Sequence, residues 1–221
     1  MIAPSMATML AVITTDAAIT PGLLRRLLQD AVARTFNRIS VDGDMSTNDT
    51  VFALANGRSG VAIRSAGSSE AQRFSQMLGA VAEKLSRLLI QDGEGASKLM
   101  DVQVTGARSE REAMAAARQV ACSSLVKTML AGSDPNVGRI AAAVGASSAR
   151  FSSDRLEIHL GGQRMVAGGV VLPVAEWVMR RLLSRPVVTV RINLHTGGAE
   201  GHMVTCDFTE EYVRINAGYA T

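Results

Sequence analysis

A hydroxyl set between two apolar residues, Thr8 between Ala7 and Met9 in the uncharged opening MIAPSMATML, offers a nucleophile if a base stands beside it. By pattern alone Thr8 is a strand residue, because TMLAVITT (8–15) is apolar and β-branched and stops at Asp16. The segment DGDMSTNDT (42–50) offers oxygens at Asp42, Asp44 and Ser46, as a calcium loop would. An EF-hand needs Gly at the sixth position and a bidentate Glu at the twelfth, where this chain has Thr47 and Ala53, so the segment reads as a polar turn leading into a buried strand. His159, His195 and His202 show neither HxxxH nor HExxH spacing, so no metal site is expected. There is no GxSxG elbow, GxxxxGK[ST] loop or GxGxxG turn, which removes support for standard serine-hydrolase, P-loop and Rossmann chemistry. Glu94, between the glycines of DGEGASK (92–98), reads on pattern as a turn residue, and Asn216 in RINAG as a helix-end residue.

The elements that must position these groups alternate along the chain. Thr20-Pro21 supplies an N-cap and a proline at the first helical position, and Leu23, Leu24, Leu27, Leu28, Ala31 and Val32 make a helical stripe. VFALAN (51–56) reads as a strand, 58–69 as a surface loop, 68–90 as a long helix, 99–106 as a strand and 110–120 as a helix. SLVKTML (124–130) reads as a strand, 138–144 as a helix, 155–160 as a strand and 174–183 as a helix. VVTVRINL (187–194) and HMVTCDF (202–208) are expected to pair as a hairpin across residues 195–198, with a last helix over 209–217. Strands and helices mixed throughout argue for an α/β fold of layered mixed sheets with flanking helices.

The 221 residues suit one large domain or two small ones, and the turn QDGEGASK (91–98) is the best boundary, giving parts 1–98 and 99–221. No apolar run approaches the ~20 residues of a membrane helix, and the opening lacks the basic region of an export signal, so no membrane partner is expected. A net charge of +3 with scattered Lys and Arg and 4% aromatic residues argues against nucleic acid. Cys122 and Cys206 stand far apart without CxxC spacing, which suggests reduced thiols and a cytoplasmic protein.

Five separated segments change the weight of Thr8. MIAPSMATML, TFNRISVDGDMSTNDTVFALANG (35–57), DGEGASK, SLVKTMLAGSDPNVGRI (124–140) and CDFTEEYVRINAGYAT (206–221) together resemble glutamate N-acetyltransferase, also called ornithine acetyltransferase, of arginine biosynthesis. The resemblance runs from Met1 to Thr221 and covers the second half of that enzyme. It implies an αββα-type sandwich of the N-terminal-nucleophile kind, with a C-terminal α+β domain closing the substrate site. It implies self-cleavage between Ala7 and Thr8, so that MIAPSMA is the tail of the α subunit and the β subunit begins at Thr8. Thr8 becomes the nucleophile, its freed α-amine the base for its own hydroxyl, and Thr8, Glu94, Asn216 and Thr221 bind substrate. Acetyl would pass from N2-acetylornithine to glutamate by ping-pong transfer without a cofactor, with acetyl-CoA an open alternative donor. The partner would be the α half, which supplies the oxyanion hole, in an α2β2 heterotetramer. An aminopeptidase-like hydrolase and an inactive fragment are the competing readings. One departure stands out: Val137 in DPNVGR occupies a position where the family usually has Trp.

Overall fold

The computed structural model describes residues 9–44 and 46–218. These fall into two compact units, one up to Leu89 and one from Ile90 onward.

In the first unit β1 (Leu10–Thr15) and the short β2 (Ala18–Ile19) lead into α1 (Pro21–Arg34). Thr20 precedes α1 in an extended conformation and Pro21 takes the first turn, where a missing N–H leaves no intrahelical bond unmade. After β3 (Ile39–Ser40) come β4 (Thr50–Ala55), β5 (Ala62–Ile63) and α2 (Ser69–Gln91). β1 and β4 pair in parallel, in register from Leu10 opposite Thr50 to Thr15 opposite Ala55. A parallel pair needs a long crossover, and α1 provides it. β2 and β5 also pair in parallel, so the stretch read as surface loop contains a strand whose Ile63 is buried. Ile63 packs with Ala17, Leu23 and Ala71 in a small core. One face of the β1–β4 pair stays apolar and open: Leu10 is 73% exposed, Val12 59%, Phe52 49% and Leu54 57%.

The second unit holds β6 (Leu99–Ala107), α3 (Glu110–Ala121), α4 (Ser124–Ala131), α5 (Gly138–Gly145), β7 (Glu157–Leu160), β8 (Gln163–Ala167) and β9 (Val170–Val171). It continues with α6 (Glu176–Leu183), β10 (Val187–Asn193), β11 (Ala199–Cys206) and α7 (Glu210–Ala217). The strands lie in the order β11-β6-β10-β7-β8-β9, with β10 parallel to β6 and the other pairs antiparallel. α3 lays Ala113, Ala116, Ala117, Val120 and Ala121 into the core. The approach to β11 is close: a Cβ on Gly201 would stand 2.5 Å from the Ala113 carbonyl carbon, so only glycine fits there. Val137 is 4% exposed within the same core, so a small side chain fills the position that the resemblance assigns to Trp.

Residues 124–130 form helix α4, not a strand: Ser123 caps it by accepting the Val126 N–H, and the buried residues Val126, Lys127, Met129 and Leu130 follow helical spacing. A short apolar run does not separate helix from strand by composition, and the serine cap decided between them. β10 and β11 do not form a hairpin, because β6 lies between them. Their connection wraps the end of β6, with the N–H groups of Thr196 and Gly197 donating to the Gly106 carbonyl at 2.6 and 2.9 Å.

Candidate functional site

Of the residues that the sequence singles out, Ala7, Thr8 and Thr221 lie outside the described residues. Met9, next to Thr8 in the chain, is held at the mouth of β1, its carbonyl accepting the Thr50 N–H at 2.9 Å.

Glu94 and Asn216 are described, and they meet. The turn between α2 and β6 reverses at Gly95, whose φ of +67 favours glycine. A Cβ there would also stand 2.4 Å from the Tyr212 backbone nitrogen. Thr209 fastens this turn to α7: its hydroxyl donates to the Gly95 carbonyl at 2.7 Å and accepts the Tyr212 N–H at 3.3 Å as the helix N-cap. Asp207, 2% exposed, accepts the N–H groups of Ser97 at 2.8 Å and Lys98 at 3.1 Å, and its other oxygen accepts the Ser97 hydroxyl. Lys98 in turn donates through Nζ to the Leu130 and Ala131 carbonyls at 2.8 and 3.2 Å and to Ser133 at 2.8 Å, placing a cation at the C-terminal end of α4. With both ends of the turn tied, the Asn216 amide donates to Glu94 Oε2 at 2.9 Å and to the Tyr212 carbonyl at 3.0 Å. Both side chains are exposed. The second Glu94 oxygen and the Asn216 carbonyl oxygen remain as acceptors, an arrangement suited to an ammonium group.

Replacing Gly95 with Ala is expected to lower stability by about 1–3 kcal/mol through backbone strain and the clash with α7. Urea denaturation checks this; an unchanged midpoint would show that the turn does not need its left-handed residue.

Behind the turn sits a group the sequence did not reveal. Lys127 is 2% exposed, and its Nζ donates to Thr205 at 2.9 Å and to the Cys206 carbonyl, with Cys206 Sγ at 3.8 Å. Burial pushes the Lys127 pKa down, against the opposing pull of Cys206, Cys122 and Asp207. Burial pushes the Cys206 thiol up, with Lys127 opposing. Neither cysteine is in a disulfide; Cys206 is buried and Cys122 half-buried. Lys127 escaped notice because its segment read as a strand, which separates it from the buried face that helical spacing gives it.

The histidines are engaged elsewhere on the sheet. His202 Nε2 lies 2.8 Å from Asp101, while His159 and His195 share Glu157 at 3.3 and 3.2 Å. Among the described residues no group of three or more His, Cys, Asp or Glu side chains is placed to hold a metal ion. Nor is any described helix long and apolar enough to cross a membrane. An open cavity of about 580 Å³ in the second unit, lined by Arg108, Arg150, Phe151, Arg155 and Thr196, includes neither Glu94 nor Asn216.

The model of the ArgJ family matches residues 1–221. The arginine biosynthesis bifunctional protein ArgJ of Geobacter sulfurreducens is 46% identical over 222 residues, covering 100% of this chain and 56% of that protein. The chloroplastic ArgJ of Sorghum bicolor is 45% identical over 227 residues, covering 100% of this chain and 49% of that protein. The chain thus spans about half the length of the curated relatives it matches. A chain in the crystal structure of ArgJ from Bacillus halodurans superposes with a TM-score of 0.91 at 38% identity, over 96% of this chain and 100% of that one. The fold is therefore the mixed α/β arrangement of that ArgJ chain.

Proposed function

This chain belongs to the ArgJ family, and from that premise we propose that it is the C-terminal, β half of an acetyltransferase of arginine biosynthesis. It carries acetyl from N2-acetylornithine to glutamate through Thr8, with Glu94, Asn216 and Thr221 binding the amino-acid substrates. Supporting the reading most directly is the Glu94–Asn216 hydrogen bond: two residues 122 positions apart, each marked by family likeness, share one ammonium-binding corner.

The Thr8 hydroxyl attacks the Ala7 carbonyl, the peptide nitrogen leaves as an amine, and water hydrolyses the resulting ester, freeing the Thr8 hydroxyl and α-amine. With a pKa of about 7.7–8.0, that amine takes the hydroxyl proton as the oxygen adds to the acetyl carbonyl of acetylornithine. The acetyl C–N bond breaks, ornithine departs with the proton, and the α-amine of glutamate then attacks the acetyl ester and restores Thr8. No cofactor enters these steps; acetyl-CoA remains an alternative acetyl donor. Two cysteines outside any disulfide suit a cytoplasmic setting for the enzyme.

The partner in this reading is the N-terminal, α half, in an α2β2 heterotetramer. Leu10, Val12, Phe52 and Leu54 support it, since parallel strands are ordinarily covered on both faces and an apolar patch of this kind marks a contact surface. The α half would also bring the oxyanion-hole donors, each worth about 2.7–4 kcal/mol in the transition state. Produced alone, the 221-residue chain is expected to keep its Ala7–Thr8 bond and transfer no acetyl group; produced with the α half, it is expected to do both. Intact-mass spectrometry and an assay with labelled acetylornithine test this. A chain that sheds MIAPSMA unaided contradicts the need for the α half, and free acetate in place of acetylglutamate points to a hydrolase.

A further inference from the structure

Asp49 is 6% exposed at the start of β4. Its Oδ1 accepts the Met9 N–H at 2.6 Å, and the next residue, Thr50, donates its own N–H to the Met9 carbonyl at 2.9 Å. Adjoining residues therefore hold both polar backbone groups of Met9. The second carboxylate oxygen, Oδ2, is buried without a hydrogen-bond partner among the described residues. Such an oxygen is expensive in a folded protein and calls for an explanation beyond packing. Burial pushes the Asp49 pKa up, although the N–H groups of Met9 and Ser46 pull it down. Other ionisable groups nearby are few. Asp42 and Asp44 share its loop, and β1 and β4 carry none. On α1, which packs against β4, Arg25, Arg26, Asp30 and Arg34 are all exposed, and Arg38 beyond it donates to the Ala33 carbonyl at 3.2 Å.

The Met9 nitrogen is also the nitrogen of the Thr8–Met9 peptide bond, so only three covalent bonds join it to the backbone nitrogen of Thr8. We propose that Asp49 is a positioning residue for Thr8: Oδ1 fixes the amide that follows the nucleophile, and Oδ2 receives the α-ammonium created when the Ala7–Thr8 bond is cut. The proposal rests on the reading of Thr8 as nucleophile. An adjacent carboxylate favours the charged amine, so the base becomes stronger and is free at higher pH than an ordinary α-amine. Oriented in this way, the amine accepts the proton of its own hydroxyl.

The test uses the assembled, processed enzyme. Asp49→Asn keeps an acceptor for the Met9 N–H but loses the charge. In the uncut chain the raised carboxyl pKa means that the ionised form lowers stability above that pKa and ceases to do so on acidification, so uncut Asp49→Asn is expected to match or exceed the wild-type Tm at neutral pH. In the processed enzyme the ammonium pairs with the carboxylate, and the variant is expected to lose that advantage. Its kcat is expected to fall by about 10- to 100-fold at unchanged KM, and the ascending limb of its pH–kcat/KM profile to move down by about one pH unit. A limb that stays in place overturns the proposal, since a purely structural role leaves the limb alone. Should the variant fail to fold or process, pH-dependent labelling of the wild-type Thr8 α-amine, read by peptide mass spectrometry, decides instead: a pKa above the ordinary range of about 7.7–8.0 is expected, and one within or below it overturns the proposal. If the active assembly carries no free α-amine at Thr8, the reading of Thr8 itself falls and the role of Asp49 with it.

Discussion

Thr8→Ala is expected to reduce acetyl transfer by the assembled enzyme by about 10⁴-fold or more, the scale seen when a covalent nucleophile is removed. The loss is large because one residue performs three tasks. Its hydroxyl attacks the Ala7 carbonyl, its nitrogen becomes the base, and the same hydroxyl carries the acetyl group. Alanine removes the first and third, and without the first the second never arises. Thr8→Ser retains hydroxyl and amine and is expected to keep measurable activity. The comparison is made by following label from acetylornithine into glutamate, with the melting temperature of each assembly recorded alongside. A Thr8→Ala enzyme that still transfers acetyl at near wild-type rate would remove Thr8 from the mechanism.

Glu94→Gln should be the second most damaging change. The substitution preserves shape and leaves an oxygen for the Asn216 amide, 2.9 Å away in the native pair, but it deletes the charge offered to the substrate ammonium. A hydrogen bond to a charged group contributes about 1.5–3 kcal/mol, so kcat/KM for acetylornithine is expected to fall roughly 10- to 150-fold. Stability should change little. Glu94 is exposed, and its turn is held by Asp207, Thr209 and Lys98 and not by its own carboxylate. A large fall in Tm with normal kinetics would make Glu94 a structural turn residue after all.

How far the chain could be read before the fold was in view varied from place to place. Helix α1 was legible because Thr20-Pro21 and the leucine spacing state the same thing twice. Helix α4 was not, because seven residues with Leu, Val and Met satisfy strand and helix alike, and the cap that distinguishes them, Ser123, lies before that run. The missing hairpin has a topological cause: two adjacent strands joined by a Gly-containing turn look like partners, yet β6, some 80 residues earlier, takes the place between them. At the candidate site, family likeness pointed to Glu94 and Asn216, whereas no local pattern says that residues 122 apart will touch. Lys127 and Asp207 gave no signal, since burial of a charge depends on tertiary partners such as Thr205, Cys206 and Ser97. Asp49 stands within DGDMSTNDT, where a polar turn accounts for it as a sequence; its contact with the Met9 N–H, 40 residues away, has no local signal.

The central claim is that acetyl passes through Thr8, and the most direct measurement is to catch it there. The assembled enzyme is incubated with acetylornithine and no glutamate, quenched in acid and mapped by peptide mass spectrometry. One acetyl group is expected on the peptide beginning at Thr8, and added glutamate is expected to remove it as acetylglutamate appears. Turnover with no acetyl on that peptide, or with the acetyl on another residue, would contradict the account.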